Sequence, residues 1–482
     1  MTPMPPHHLM HIHGEWVDAA SGDRLEAVDP STEEVLATLP DAGPGDVDRA
    51  VDSARSAAGE WRALGWQQRA RLLREIAARI SAAADELARL DVSDSGNPLR
   101  GMRQDVSGAV AEIDYYAGLA SQTGGSTTPT GDDTVAYTMR EPYGVVGRII
   151  PFNHPLKFAA GKIAAPLAAG NAVLLKPGEQ TSLSALVLAR IAADVLPAGV
   201  LNVVTGRGST AGAALVAHAD VSRIAFTGSV PTGRAVLRGA AEHIKHVSLE
   251  LGGKNPIVVF PDVDPRQAAR AAVAGMNIAR CTGQSCGSTS RLFVHAAIQE
   301  AFCDALVERL AELRIGDPMD ESTDVGPLAF AAHHQRVLGY IEAGRRDGAA
   351  LLYGGGRPDG FPRGFYVQPA VFTGVDDEMT IAREEIFGPV MSVLSWTDWD
   401  DVVRRANATP YGLTANVWTR DVSLAHRTAR ALEAGYVYVN GHGRRPTGSP
   451  FGGWKTSGLG KENCLEELLS YTHEKTVAVT LS

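Results

Sequence analysis

The chain has 482 residues, 44% of them hydrophobic and 21% charged, enough apolar material for a large core and two or more domains. A net charge of -10 at pH 7 disfavours nucleic acid and anionic membranes as partners, because either would call for a basic patch. No early stretch has the basic start and apolar run of a signal peptide, and no segment is apolar for long enough to span a bilayer. The expectation is a cytoplasmic protein acting on small molecules.

His7, His8, His11 and His13 open the chain and are read as chain-end residues, with His11 to Val17 starting a strand, so no metal site is expected. From Asp46 to Leu90 the pattern predicts two amphipathic helices, the second carrying Leu73, Ile76, Ile80, Leu87 and Leu90 at helical spacing. Gly124–Asp133 leads into the alternating Thr134–Arg140, an excursion from the surrounding pattern. From Val145 short β-branched runs alternate with alanine-rich helices: Val145–Ile150, Pro155–Ala169, Ala172–Lys176, Thr181–Val195, Val200–Val204, Arg223–Phe226 and Pro231–His243. That is the βαβ rhythm of a doubly wound parallel sheet. A second α/β region begins near Leu251, with strands expected at Pro256–Phe260, Arg291–His295, Val390–Leu394, Ala415–Trp418 and Tyr436–Asn440. Lys475–Leu481 reads as an isolated strand, and isolated strands seek partners, often in a second subunit.

Cys281, Cys286, Cys303 and Cys464 form no CxxC pair, so reduced thiols are expected. Two glycine-rich segments, Thr205–Gly208 and Phe226–Gly233, each follow a strand and precede a helix, where backbone amides can bind phosphate. Neither matches the usual dinucleotide fingerprint, and Arg234 stands where a P-loop needs lysine; tight turns fit the two segments equally well.

The motifs that carry chemistry come in order: Pro151-Phe-Asn-His-Pro155, Leu175-Lys-Pro-Gly-Glu-Gln180, Phe226-Thr-Gly-Ser229, Leu249-Glu-Leu-Gly-Gly-Lys254, Gly283-Gln-Ser-Cys286 with Arg291, Glu384-Glu-Ile-Phe-Gly-Pro389 and Pro450-Phe-Gly-Gly-Trp-Lys455. With these motifs the sequence resembles the aldehyde dehydrogenase superfamily over nearly its whole length, from Gly14-Glu-Trp-Val17 to Lys475-Thr-Val477. The resemblance implies an α/β fold with a Rossmann-type NAD-binding domain (1–123 and 144–250) and an α/β catalytic domain (251–440). It further implies a return segment (441–469) contributing to the substrate tunnel, and a small β oligomerisation element (124–143 and 470–482) giving a homodimer or homotetramer.

Carried over residue by residue, Cys286 matches the nucleophile that adds to an aldehyde to form a thiohemiacetal. Asn153, with the cysteine N–H, matches the oxyanion donor, an interaction typically worth about 2.7–4 kcal/mol. Glu250 matches the base that activates water to hydrolyse the thioester. Lys162 and Glu462 match positions proposed to pass protons, and a structural ion pair fits them equally. The implied cofactor is NAD. Its adenosine ribose is placed against Lys176 and Glu179, its pyrophosphate near Ser229, and its nicotinamide ribose on Glu385 with Phe387 beside the ring. Further contacts are implied at Ile149, Pro151, Phe152, Gly208, Thr227, Gly228, Leu251 and Gly252. The Glu179 carboxylate favours free ribose hydroxyls over a 2′-phosphate, and hence NAD over NADP.

Departures from the family cluster around the substrate: Phe152 for Trp, His154 for Phe or Tyr, Cys281 for Asn, Ser288 for Ala and Asn463 for Gly. His154 fits either a substrate contact or a hydrogen bond to backbone, and Phe158 and Phe451 line the implied tunnel. Arg445 suits a carboxylated semialdehyde, unless it and Arg444 face solvent or a neighbouring subunit, whereas Gly108 and Gly161 suggest a roomy pocket for an aromatic or branched aldehyde. Glu250 speaks for hydrolysis over transfer to coenzyme A, and Cys286, Asn153 and Glu250 together speak against a catalytically silent relative.

Overall fold

The structure, a computed structural model, describes residues 6–443 and 445–481. The first five residues of the expected nucleotide-binding range, Arg444 and the last residue of the expected oligomerisation range lie outside the described residues.

Five strands pair in parallel as the centre of an eight-stranded sheet, in the order Leu201–Val203, Ala172–Lys176, Val145–Ile149, Arg223–Thr227 and His246–Glu250, the first four buried along their whole length. Buried helices such as Pro155–Ala169 cover the sheet, which explains why its inner strands are buried at every position rather than alternately. The chain builds outward from Val145–Ile149 to one side and then returns with Arg223–Thr227 on the other. The strand order therefore reverses between these two, and the loops past their C-terminal ends flank a crevice suited to a ligand. A seven-stranded sheet holds all five strands expected in the second region, with Ala370–Thr373 and the antiparallel Ala350–Tyr353 added at one edge.

The stretch expected as two helices is three: Pro44–Ala63, Gly65–Ala82 and Ala84–Ser95. Ala83, at φ -98 and ψ 16, breaks the second. The apolar stripe crosses this break because Leu73, Ile76, Ile80 and Leu87 enter one core, while Leu90 is only half-buried. A further helix, Leu99–Leu119, follows. The histidine-rich start forms the hairpin Met10–Ile12 and Glu15–Val17, whose turn residues His13 and Gly14 both have positive φ. The His7 ring meets Thr38 and Asp18, and the His13 ring meets Ser53.

The expected isolated strand is not isolated. Thr472–Thr480 pairs antiparallel with Thr134–Pro142 along its whole length, so the two excursions find each other within one chain. That small sheet still exposes Val135, Tyr137, Met139 and Val479. Among the described residues no helix is long and apolar enough to cross a membrane.

Candidate active site

Asn153 lies in the loop after Val145–Ile149, and Glu250 ends the strand His246–Glu250, both at the C-terminal edge of the first sheet. Cys286 lies in the loop between the short helix Ile278–Cys281 and the strand Arg291–His295 of the second sheet. The Asn255 amide pins this loop by donating to the carbonyls of Cys286 (2.8 Å) and Ser288 (2.9 Å), while its oxygen accepts the Thr414 N–H (3.0 Å). Ser288 adds a hydroxyl bond to the Met276 carbonyl (2.9 Å), which the alanine usual in the family would lack. Backbone strain accompanies the turn: Asn277 and Thr282 have φ of 57 and 51, costly above all for β-branched threonine. Gly283 has φ 76, and a Cβ there would stand 2.7 Å from the Gly388 backbone.

Asn153 Nδ2 donates to the Gln284 carbonyl at 2.8 Å. A flipped amide would set two acceptors face to face, so this orientation is fixed and one N–H stays unspent. Among the described residues no acceptor takes the Cys286 N–H either. Two donors are thus available beside the thiol for a developing oxyanion.

Burial pushes the half-buried Cys286 thiol up to about 12, with the Glu250 and Glu385 carboxylates adding to it and Arg445 and Lys162 opposing. Burial also raises Glu250 well above the ordinary carboxylate value, and the charge of Glu462 raises it further. Glu250 Oε1 has no hydrogen-bond partner among the described residues. It fits against Gly452, where a Cβ would come within 2.9 Å. A buried base with a free oxygen next to an un-ionised thiol is suited to accepting a proton near neutral pH.

Lys162 is ion-paired with Glu462, which also binds Arg148 Nη2 at 2.6 Å. Burial alone would raise Glu462, but Lys162 and Arg148 outweigh it and hold the carboxyl down at about 2. Both partners are therefore charged, and they act on Glu250 through space rather than by a direct hydrogen bond.

Two cavities meet at Cys286, Glu250, Thr227 and Phe158. The one at the crevice, about 420 Å³, brings together Pro151, Phe152, Gly228, Ser229, Leu251, Gly252, Glu385 and Phe387 in its lining. Phe152 meets Phe330 and Phe387 edge-on, with centroids 5.1 and 5.7 Å apart. The Glu385 carboxylate accepts the Gly253 N–H at 3.0 Å and passes over Gly252, where a Cβ would stand 1.9 Å from Oε2. Lys176, Glu179 and Gly208 line neither cavity and form a separate cluster. Glu179 accepts the Gly208 N–H at 2.9 Å, and burial lowers Lys176 to about 8 against the opposing charge of Glu179. Ile149 is buried in its strand. Phe330, His333, Arg336 and Tyr340, at the start of and along the helix Ala331–Arg346, also line the cavity. They belong to none of the motifs and were missed.

The second cavity, about 90 Å³, takes in His154, Phe158, Lys162, Arg445, Phe451 and Glu462. His154 lines this cavity, and in place of the expected backbone hydrogen bond its Nδ1 is bonded at 2.5 Å to the buried carboxylate of Asp105, which also pairs with Arg280. Arg445 faces the cavity, stacked 4.0 Å from the centroid of Phe451, rather than solvent. The roomy pocket is a correction. A Cβ at Gly161 would stand 2.0 Å from Glu112 Oε2, and one at Gly108 would stand 3.7 Å from Lys157 Nζ, so charged side chains occupy the space the two glycines leave. Asn463, where glycine is usual, has φ 60, a left-handed conformation that asparagine tolerates better than most residues. A larger open groove, about 650 Å³ along the helices Pro265–Gly275 and Gln299–Ala311, contains none of the motif residues.

Replacing Glu462 by Gln removes the one carboxylate shared by two buried cations. Breaking such a pair costs about 3–5 kcal/mol, so Glu462→Gln should lower unfolding stability by that order in a denaturant titration. An unchanged midpoint would show that the pair contributes little.

The family model described as the aldehyde dehydrogenase family matches residues 16–477. The chain is 44% identical to a hydroxyisobutyraldehyde dehydrogenase of Mycolicibacterium austroafricanum, covering 100% of this chain and 95% of that protein. An NAD+ complex of an aldehyde dehydrogenase from Bacillus cereus superposes with a TM-score of 0.96 at 42% identity, covering 99% of this chain and 97% of that one. An NAD-dependent aldehyde dehydrogenase from Sinorhizobium meliloti gives a TM-score of 0.96 at 39% identity, covering 99% and 96%. With the ordered motifs, the two meeting cavities and these likenesses together, the chain belongs to the aldehyde dehydrogenase family.

Proposed function

We propose that the protein is an NAD-dependent dehydrogenase that oxidises an aldehyde to its carboxylic acid through a thioester on Cys286. The observation that carries this reading is the meeting of two cavities at Cys286 and Glu250, one suited to a nicotinamide and the other to a small aldehyde. Glu385, Phe387, Ser229 and Phe152 would hold the nicotinamide half, and Lys176 and Glu179 the adenosine ribose. The shallow Glu385 cradle over Gly252 supports that fit, because a buried carboxylate raised to about 7 is suited to hydrogen-bonding ribose hydroxyls. When bound, NAD supplies the acceptor for the hydride.

Glu250 takes the thiol proton of Cys286, and Sγ bonds to the aldehyde carbon. The carbonyl oxygen becomes an oxyanion held by Asn153 and the Cys286 N–H. Loss of hydride from that carbon leaves the thioester. Glu250 then takes a proton from water, whose oxygen bonds to the acyl carbon while the carbon–sulfur bond breaks, giving the acid and restoring Cys286. Glu250 must shed its proton between the two steps. The charged Lys162–Glu462 pair beside it supports a route to solvent along that side. Glu250 also favours water over coenzyme A as acceptor.

For the substrate, the observations favour a carboxylated aldehyde over a bulky aromatic one, since Glu112 and Lys157 fill the glycine-lined space and Arg445 faces the cavity. The first sheet serves as the nucleotide-binding domain and the second as the catalytic domain. The exposed apolar face at Val135, Tyr137, Met139 and Val479 supports the small third sheet as an oligomer contact in a dimer or tetramer.

Steady-state NADH formation tests the reading. NAD should outperform NADP, carboxylated aldehydes should outperform aromatic ones, and Cys286→Ala should give no turnover, whereas Asn153→Ala should lose about 10²–10³ in kcat. Turnover retained by Cys286→Ala would sink the mechanism; carboxylated aldehydes without advantage would sink the substrate class, and an unchanged KM for them in Arg445→Ala would sink the part given to Arg445. Sedimentation should give two or four times the chain mass of 50.9 kDa, and Tyr137→Asp should shift it toward that of one chain; a wild type at one chain mass contradicts the oligomer contact.

A further inference from the structure

The distal wall of the second cavity is rich in charge, and not every cation in it has a direct partner. Arg280 is paired with Asp105, which also holds His154. Glu112 rests against Gly161, and Arg445 lies on the ring of Phe451. Lys157, on the helix Pro155–Ala169 three residues after His154, takes part in no hydrogen bond and no ion pair within 4.0 Å among the described residues. Arg280 has the Asp105 carboxylate, whereas Lys157 and Arg445, which line the same cavity, meet no carboxylate within 4.0 Å among the described residues.

Lys157 is not a solvated surface lysine. It is half-buried, lines the cavity, and its end lies over helix Leu99–Leu119, with Cε and Nζ 3.6 and 3.7 Å from the position a Cβ on Gly108 would take. Gly108 thereby leaves the ammonium its place. Burial disfavours the charge and Glu112 favours it. An ammonium withdrawn from water without a partner is costly, and an incoming anion would relieve that cost.

We propose that Lys157 is the specificity-determining residue of the substrate cavity, its ammonium receiving the single carboxylate of an ω-oxo acid whose aldehyde carbon reaches Cys286. The inference rests on the reading of this cavity as the site of a carboxylated aldehyde. It goes beyond that reading by assigning the carboxylate to Lys157, with Arg445 as the second cation.

Succinic semialdehyde and butanal differ only in the carboxylate and form the test pair. A hydrogen bond to a charged group is worth about 1.5–3 kcal/mol, so Lys157→Met should cut kcat/KM for succinic semialdehyde about 10- to 100-fold, mostly through KM. The loss on butanal should be much smaller than that on succinic semialdehyde, and Lys157→Arg should keep the preference. A binding readout without turnover accompanies it: butyrate should slow alkylation of Cys286 by iodoacetamide in the wild type and not in Lys157→Met, whereas butanol should slow it in neither. A wild type without preference for succinic semialdehyde overturns the carboxylated-substrate reading itself. A preference that survives in Lys157→Met, or an equal loss on both aldehydes, overturns the assignment to Lys157 and leaves that reading standing. Equal protection by butyrate and butanol in the wild type overturns it without recourse to any variant.

Discussion

The hydrogen bond from Asn153 Nδ2 to the Gln284 carbonyl is the contact on which the site depends. It joins a loop of the first sheet to the cysteine loop of the second, so neither half is a site without the other. It also fixes the amide's orientation and leaves one N–H for the oxyanion. The strained turn at Asn277 and Thr282 and the anchoring by Asn255 serve the same end, holding Cys286 where the cavities meet. Preorganised donors of this kind need no rearrangement as charge develops, which is why their geometry is held by residues that never meet the substrate.

Burial then sets the chemistry apart from the scaffold. The same desolvation acts on Cys286, Glu250 and Glu462, yet the outcomes differ with the company each keeps. Glu462 lies between two cations and stays ionised, Glu250 faces no direct partner and is raised, and Cys286 between carboxylates stays a thiol. A carboxylate whose proton affinity is raised by burial, beside a thiol that is not ionised, suits a proton transfer from Cys286 to Glu250 as Sγ attacks. The charged pair Lys162–Glu462 remains fixed beside them.

Much of the fold was legible because parallel strands buried on both faces are written as short β-branched runs, and Arg291–His295 and Ala172–Lys176 are found as expected. The pairing of Thr134–Pro142 with Thr472–Thr480 was not, because register between segments so far apart leaves no local mark. The break at Ala83 was hidden for the opposite reason: the apolar period continues through it. In the site, residues inside motifs were found. Phe330, His333 and Arg336 were not, since they reach the crevice from an ordinary helix. Gly108 and Gly161 were read as empty space, although the same helical period could have pointed to the charges filling it. Lys157 and Gly161 share one helix face at i and i+4, with His154 just before the helix starts, and Asp105, Gly108 and Glu112 share one at i, i+3 and i+7 on the facing helix.

The central claim is that acyl transfer to water from Cys286 requires Glu250. Its most direct test is the intact mass of Glu250→Gln after mixing with NAD and an aldehyde, followed by peptide mapping. The account predicts an added acyl group, one per chain, on the peptide holding Cys286. An unmodified chain that still turns over, or an acyl group carried on another residue, would contradict it.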